Sequence, residues 1–151
     1  MTQWTVTKNP NPTPDATREA ILENPTFGTN FTDHMVTVVW EKDKGWHSAT
    51  VEPYGPIMMD PSAAVLHYGQ EIFEGIKAYR HPDGSIWTFR PEANAKRLQR
   101  SARRMALPEL PTEIFIESLQ KLLEADSAWV PQPVNEKTLY IRPFEIAAEN
   151  F

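Results

Sequence analysis

Fourteen prolines in a chain of 151 residues restrict it to short elements, because proline lacks the backbone donor and restricts the residue before it. Asn9-Pro10-Asn11-Pro12-Thr13-Pro14 cannot continue a helix or a central strand. Residues 1–34 are therefore read as an irregular arm, with one helical turn at Arg18-Glu19-Ala20-Ile21-Leu22 that Asn24-Pro25 ends.

Beyond the arm the pattern predicts strands. Met35–Glu41 is rich in β-branched residues and ends in Trp40-Glu41; Asp43-Lys44-Gly45 supplies a turn, and Trp46–Glu52 returns until Pro53-Tyr54-Gly55-Pro56 breaks it. Glu74–Arg80 and Ser85–Arg90 form a second hairpin about His81-Pro82-Asp83-Gly84. Pro91 starts a helix, where its fixed φ and missing donor are tolerated; Ala95, Leu98, Ala102 and Met105 make its apolar stripe, and Leu107-Pro108 ends it. A second helix begins near Thr112, read as the N-cap, with Phe115, Leu119, Leu122 and Leu123 on its buried face. A proline-containing loop covers 126–136, and Thr138–Phe144 is the last strand. Strands, then helices, then a strand, without βαβ alternation, predict an α+β fold: a mainly antiparallel sheet with two helices packed on it.

Charge and composition exclude several roles. A net charge of −5 argues against nucleic acid, which requires clustered cations. The densest basic group, Arg97, Arg100, Arg103 and Arg104, is too local to form a groove for it. The chain has no cysteine, which fits a reducing, cytoplasmic setting. No signal peptide or membrane-length apolar run is visible. His34, His47, His67 and His81 are not paired at ligand spacing, so no metal site is expected.

Two faces can carry chemistry. Arg90, Asn94 and Arg97 fall at i, i+4 and i+7 and share one helix face. A guanidinium there can hold a phosphate with paired hydrogen bonds, or simply be solvated. Tyr140 and Arg142 lie two apart on a strand and project to one side. They can hold a carboxylate, or form a half-buried edge with Arg142 reaching to water. Tyr68, Phe73 and Gly75 surround a turn-to-strand junction where aromatics are as readily core as pocket, and Glu74-Gly75 marks a tight backbone position. The residues alone lead to an anion face and an aromatic-arginine face, not to a reaction.

The run Leu66-His67-Tyr68-Gly69-Gln70-Glu71-Ile72-Phe73-Glu74-Gly75-Ile76-Lys77-Ala78-Tyr79, followed by Phe89-Arg90-Pro91-Glu92-Ala93-Asn94-Ala95-Lys96-Arg97 and Leu139-Tyr140-Ile141-Arg142-Pro143, resembles the small N-terminal domain of the branched-chain amino-acid aminotransferases. These are fold-type IV enzymes that use pyridoxal phosphate. Shorter matches at Phe31-Thr32-Asp33-His34-Met35, Pro53-Tyr54-Gly55-Pro56, Ser101-Ala102-Arg103-Arg104 and Asp126–Pro131 extend the resemblance from about residue 25 to the end.

The resemblance implies that residues 35–151 are the small domain and that the parent protein transfers the amino group of leucine, isoleucine or valine to 2-oxoglutarate, with glutamate as the other partner, in branched-chain amino-acid biosynthesis. It implies a cytoplasmic homodimer. By position, Arg97 is similar to the arginine that grips the cofactor phosphate. Phe73 and Tyr140 resemble walls of the aliphatic side-chain pocket. Arg142 resembles the arginine that admits the distal carboxylate, and Tyr68 a tyrosine that reaches into the neighbouring subunit's site. The family's Schiff-base lysine belongs to a second, larger domain that this chain is expected to lack. None of Lys8, Lys42, Lys44, Lys77, Lys96, Lys121 and Lys137 matches its context, so the chain alone is expected to be inactive. Other expectations weighed beside this are another fold-type IV enzyme (a D-amino-acid aminotransferase or aminodeoxychorismate lyase) and a non-catalytic dimerising module.

Overall fold

The computed structural model describes residues 3–149. The first hairpin forms where expected. Strand β2 (His34–Glu41) pairs antiparallel with β3 (Gly45–Pro53), Val36 opposite Val51 and Trp40 opposite Trp46, with a register shift between Thr37 and Val39. Gly45 takes φ +67° at the turn, a conformation open to glycine. Ala49 and Val51 are the buried residues of β3.

The arm is not irregular. Strand β1 (Trp4–Val6) runs parallel to β3, and helix α1 (Asp15–Glu23) occupies nine residues rather than one turn. Distant partners hold both. Trp4 Nε1 donates to Glu117 at 3.0 Å, and the Lys137 ammonium caps the C-terminal carbonyls of α1, reaching Leu22 O at 3.1 Å and Glu23 O at 2.6 Å. The Asn9 amide donates to His34 Nε2 at 2.9 Å, while His34 Nδ1 contacts the buried Asp126 carboxylate at 2.7 Å. These partners lie far along the sequence, which is why local pattern reading misses the arm.

After the hairpin come α2 (Ala64–Tyr68) and β4 (Glu71–Phe73), two elements the sequence reading did not separate. Strands β5 (Ile76–Arg80) and β6 (Ile86–Thr88) form the expected second hairpin. Helix α3 (Pro91–Met105) starts at proline as expected and buries Ala95, Leu98 and Ala102, whereas Met105 is exposed. Helix α4 (Thr112–Ala125) has Pro111, not Thr112, at its N-cap position, with no side-chain cap. A short 3₁₀ turn, Ser127–Trp129, follows inside the expected loop.

The last strand is two strands. Pro143 offers no donor, and the ladder breaks there. β7 (Leu139–Ile141) joins β5, and β8 (Phe144–Ile146) joins β4. The architecture is α+β as expected, but among the described residues the strands are spread over three small sheets, ordered β1-β3-β2, β4-β8 and β6-β5-β7, antiparallel except at β1. One core joins the last two: Ile72, Ile76 and Ile141 from their strands meet Leu98 of α3 and Phe115 and Leu119 of α4. Burial of each such side chain contributes about 1.5–3 kcal/mol. Among the described residues no helix is long and apolar enough to cross a membrane.

Candidate functional site

The dipeptide Glu74-Gly75, between β4 and β5, is where the two candidate faces meet. Its backbone is held by the Glu74 amide, which donates to Pro143 O at 2.8 Å. The Glu74 side chain turns inward and is 1% exposed. Arg97 clasps it with two bonds, Nε to Oε1 at 2.6 Å and Nη2 to Oε2 at 2.5 Å. Asn94, one helical turn earlier on α3, donates Nδ2 to Glu74 Oε2 at 2.9 Å and to Gly75 O at 3.3 Å. Burial raises the Glu74 pKa, but the hydrogen bonds from Arg97 and Asn94 and the Arg97 charge outweigh it, and the carboxyl sits below its ordinary value. Glu74 is thus an ionised, fully partnered buried acid.

Arg97 itself is 59% exposed in its side chain. It lines an open concavity of about 580 Å³ with Glu71, Ile72, Arg100, Ser101, Arg104 and Met105. Arg97, Arg100 and Arg104 are spaced three and four residues apart and share a face of α3. Arg90 does not join them. It precedes the helix in a left-handed conformation, φ +47°, so the expected Arg90–Asn94–Arg97 face reduces to Asn94 and Arg97.

On the other side of Gly75 lies the aromatic-arginine face. Arg142 Nη2 donates to the Tyr140 hydroxyl at 2.8 Å. Its guanidinium lies 4.5 Å from the centre of the Phe73 ring and 5.3 Å from that of Tyr140, within cation–π range. Phe27 meets the Tyr140 ring edge-on at 5.1 Å. A smaller cavity of about 280 Å³ is lined by Gly75, Ile76, Lys77, Tyr79, Phe89, Asn94 and Tyr140. Asn94 is shared: it lines this cavity and bonds the Glu74 that anchors Arg97.

The structure therefore gathers Phe73, Tyr140 and Arg142 into one cluster and links Arg97 to them through Glu74, Gly75 and Asn94. Tyr68 ends α2, 70% exposed, its ring 6.5 Å from that of His67. Sequence reasoning treated Glu74 as a mark of backbone tightness and missed its ion pair; an acid between the apolar Ile72-Phe73 and Gly75-Ile76 was the available signal. Phe27 was missed outright, because it lies in the arm.

The donors suit a phosphate. A guanidinium fixed along one edge keeps a second edge for bidentate bonds, and Arg100, Ser101 and Arg104 add cations and a hydroxyl around the same concavity. The opposite face pairs apolar ring surface with one cation, which suits a small molecule having an aliphatic or a carboxylate end.

No family model matches the chain. Individual proteins do. The chain is 63% identical to a branched-chain-amino-acid aminotransferase of Mycolicibacterium smegmatis over 147 residues, 97% of this chain and 40% of that protein. It is 57% identical to the one of Mycobacterium tuberculosis, over the same shares, and 49% identical to branched-chain-amino-acid transaminase 1 of Bacillus subtilis, over 82% and 34%. The chain spans about two-fifths of the length of the first two relatives. Among solved structures it is similar to the branched-chain aminotransferase of Thermoproteus uzoniensis with norvaline, TM-score 0.57 at 22% identity, covering 78% of this chain and 35% of that one. It is also similar to the branched-chain amino acid aminotransferase of Escherichia coli, TM-score 0.54 at 21% identity, covering 66% and 30%. At those identities the structures speak for the fold, and the sequences speak for kinship: at 57% and 63% identity over 97% of its length, this chain is similar to a stretch of about two-fifths of a branched-chain-amino-acid aminotransferase.

Proposed function

We propose that this chain is the cofactor-phosphate and substrate-facing part of a pyridoxal phosphate-dependent branched-chain amino-acid aminotransferase. In this reading residues 35–151 are its small domain, and 1–34 an arm packed on it. The observation that carries the reading is the Phe73–Tyr140–Arg142 cluster, an apolar aromatic wall with a single cation laid across it. Such a wall accepts the aliphatic side chain of leucine, isoleucine or valine in one half-reaction. The cation accepts the distal carboxylate of glutamate or 2-oxoglutarate in the other, so one site serves two unlike substrates.

Arg97 holds the cofactor phosphate, with Arg100 and Ser101 nearby in the same concavity. Pyridoxal phosphate, when bound, supplies the electron sink for amino-group transfer. This chain's residues bind and orient. Proton transfer at the substrate's α carbon requires a lysine base, and the chain's lysines do not resemble the family's. Lys77 stands on β5 opposite Tyr140, and Lys96 is exposed on α3 beside Arg97. We therefore hold that the chain alone does not transaminate. Tyr68, exposed at the end of α2, reaches the site of a neighbouring subunit in a cytoplasmic homodimer.

The test is amino-group transfer by the complete protein encoded by the parent gene, with leucine, isoleucine, valine and D-alanine offered against 2-oxoglutarate. Formation of the branched 2-oxo acids supports the proposal. Preference for D-alanine reassigns the protein within the fold, and absence of transfer with no cofactor affinity leaves an association module.

A further inference from the structure

Arg97 does not stand in the concavity as a loose cation. Its Nε and Nη2 are both committed to a carboxylate that is 1% exposed, while the arginine side chain is 59% exposed. A guanidinium is planar and carries five N–H groups in a fixed fork. With the Nε–Nη2 edge engaged, the edge left over is Nη1 with the second hydrogen of Nη2. The plane and direction of that edge are set by Glu74. Glu74 is itself fixed three ways: through its amide to Pro143 O at 2.8 Å, through Oε2 to Asn94 at 2.9 Å, and by burial.

The arrangement carries an electrostatic cost. Glu74 neutralises the Arg97 charge, so a phosphate approaching Arg97 meets an anion behind it. Were attraction all that mattered, an acid at this position would be detrimental. Direction explains it: an arginine with free side-chain rotation loses entropy on binding, and one already held does not.

We propose that Glu74 is a positioning residue, which spends one edge of the Arg97 guanidinium to aim the other at an anionic phosphate in the α3 concavity. This rests on the phosphate reading of Arg97 given above. It assigns a role in the same site to a residue that touches no ligand itself.

The sign of one substitution separates positioning from simple charge. Glu74→Gln keeps the shape, removes the negative charge and replaces one acceptor oxygen with a donor that Arg97 cannot use. If Glu74 positions, Glu74→Gln weakens phosphate binding roughly tenfold although the site has gained net positive charge. If Glu74 is only a nearby charge, binding strengthens. The measurement is titration of this chain with inorganic phosphate, following the arginine Nε–H signals by NMR. In the wild type the Arg97 Nε–H is protected from exchange before any phosphate is added, and it shifts on titration. In Glu74→Gln the protection is lost at Arg97 alone, the Arg100 and Arg104 signals and the core amides staying in place. General unfolding would move all of them.

Unchanged or tighter binding in Glu74→Gln overturns the inference, and so does an unprotected wild-type Arg97 Nε–H. Arg97→Ala distinguishes the two layers of argument. If it abolishes the phosphate response while Glu74→Gln strengthens it, the anion site stands and only the positioning role falls. If it leaves the response intact, the anion site itself is wrong, and the role of Glu74 falls with it. Glu74→Asp, which keeps both oxygens on a shorter arm, recovers part of the Arg97 protection that Glu74→Gln loses.

Discussion

The Tyr140 hydroxyl occupies the space that a β-carbon would need on Gly75, and the next two ring atoms of Tyr140 lie 3.1 and 3.2 Å from that point. Glycine is required here for close approach rather than for turn geometry. Tyr140 in turn receives the Arg142 guanidinium at 2.8 Å. The Phe73–Tyr140–Arg142 cluster thus leans on a missing side chain.

Gly75→Ala is expected to displace the Tyr140 ring and to destabilise the chain by about 1–3 kcal/mol through overpacking. Urea denaturation measures the loss. Tyr140→Phe removes the nearest clashing atom, so the double variant recovers part of that loss in a double-mutant cycle. Additive effects would mean that the hydroxyl is not the obstacle.

Under the proposed function, Arg142→Ala in the complete protein is expected to impair the half-reaction with 2-oxoglutarate by tenfold or more, since a charge-assisted hydrogen bond contributes about 1.5–3 kcal/mol. The leucine half-reaction loses less, because Phe73 and Tyr140 keep the apolar wall. Arg142→Lys does not restore the acidic half-reaction fully, as an ammonium lacks the planar group that lies over the Phe73 ring. Single-turnover rates for each half-reaction provide the check, and equal losses would remove the carboxylate role.

What could be read from the chain without coordinates follows the range of the forces involved. The β2–β3 hairpin was legible because β-branched residues and Asp43-Lys44-Gly45 act locally. Helix α3 was legible because Pro91 and the spacing of Ala95, Leu98 and Ala102 act within a few turns. The Tyr140–Arg142 pairing followed from strand periodicity, and a bond across two residues confirms it. The Glu74–Arg97 clasp was only half legible: an acid set between Ile72-Phe73 and Gly75-Ile76 hints at burial although charged residues ordinarily face water, but nothing in a linear pattern pairs it with an arginine twenty-three residues on. The arm failed for a related reason. Its prolines correctly forbid long elements, but β1 and α1 are held by Ala49, Val51, Glu117 and Lys137, partners that propensity cannot see. The split of β7 from β8 at Pro143 was available from the missing donor, yet the pattern of β-formers on both sides reads as one strand.

Helix α3 ends with Ala106 in a left-handed conformation, φ +54°, its amide capping the helix while Leu107 donates to Ala102 O at 2.9 Å. This is the position where glycine is normally preferred. Ala106 is exposed, so its methyl contributes little packing. Relief of the strain exceeds the added freedom of the unfolded glycine chain, and Ala106→Gly is expected to stabilise by a few tenths to about 1 kcal/mol. A fall in the urea midpoint would contradict this.

Glu145 gives the chain a pH dependence of distinctive sign. It lies opposite Ile72 in the β4–β8 ladder, so its side chain shares the face of a core residue. Neither of its carboxylate oxygens has a hydrogen-bond partner, and burial pushes its pKa up to about 7 from an ordinary 4.5. Between those values the folded chain holds a proton that the unfolded chain releases. Stability from this group is complete below about 4.5 and is lost as pH rises towards 7. Asp33 and Glu74, whose pKa values are lowered, work in the opposite direction and lose their contribution as pH falls. Total stability against pH therefore mixes the two, and a pairwise difference isolates Glu145. Glu145→Gln cannot ionise, so its stability relative to the wild type is expected to grow between pH 4.5 and 7 and to level off above. Urea melts of both proteins at pH 4.5, 6 and 8 give that difference directly. A difference that stays flat would show that Glu145 has turned to water or found a counter-charge, and that the β4–β8 ladder carrying Phe73 feels no buried acid.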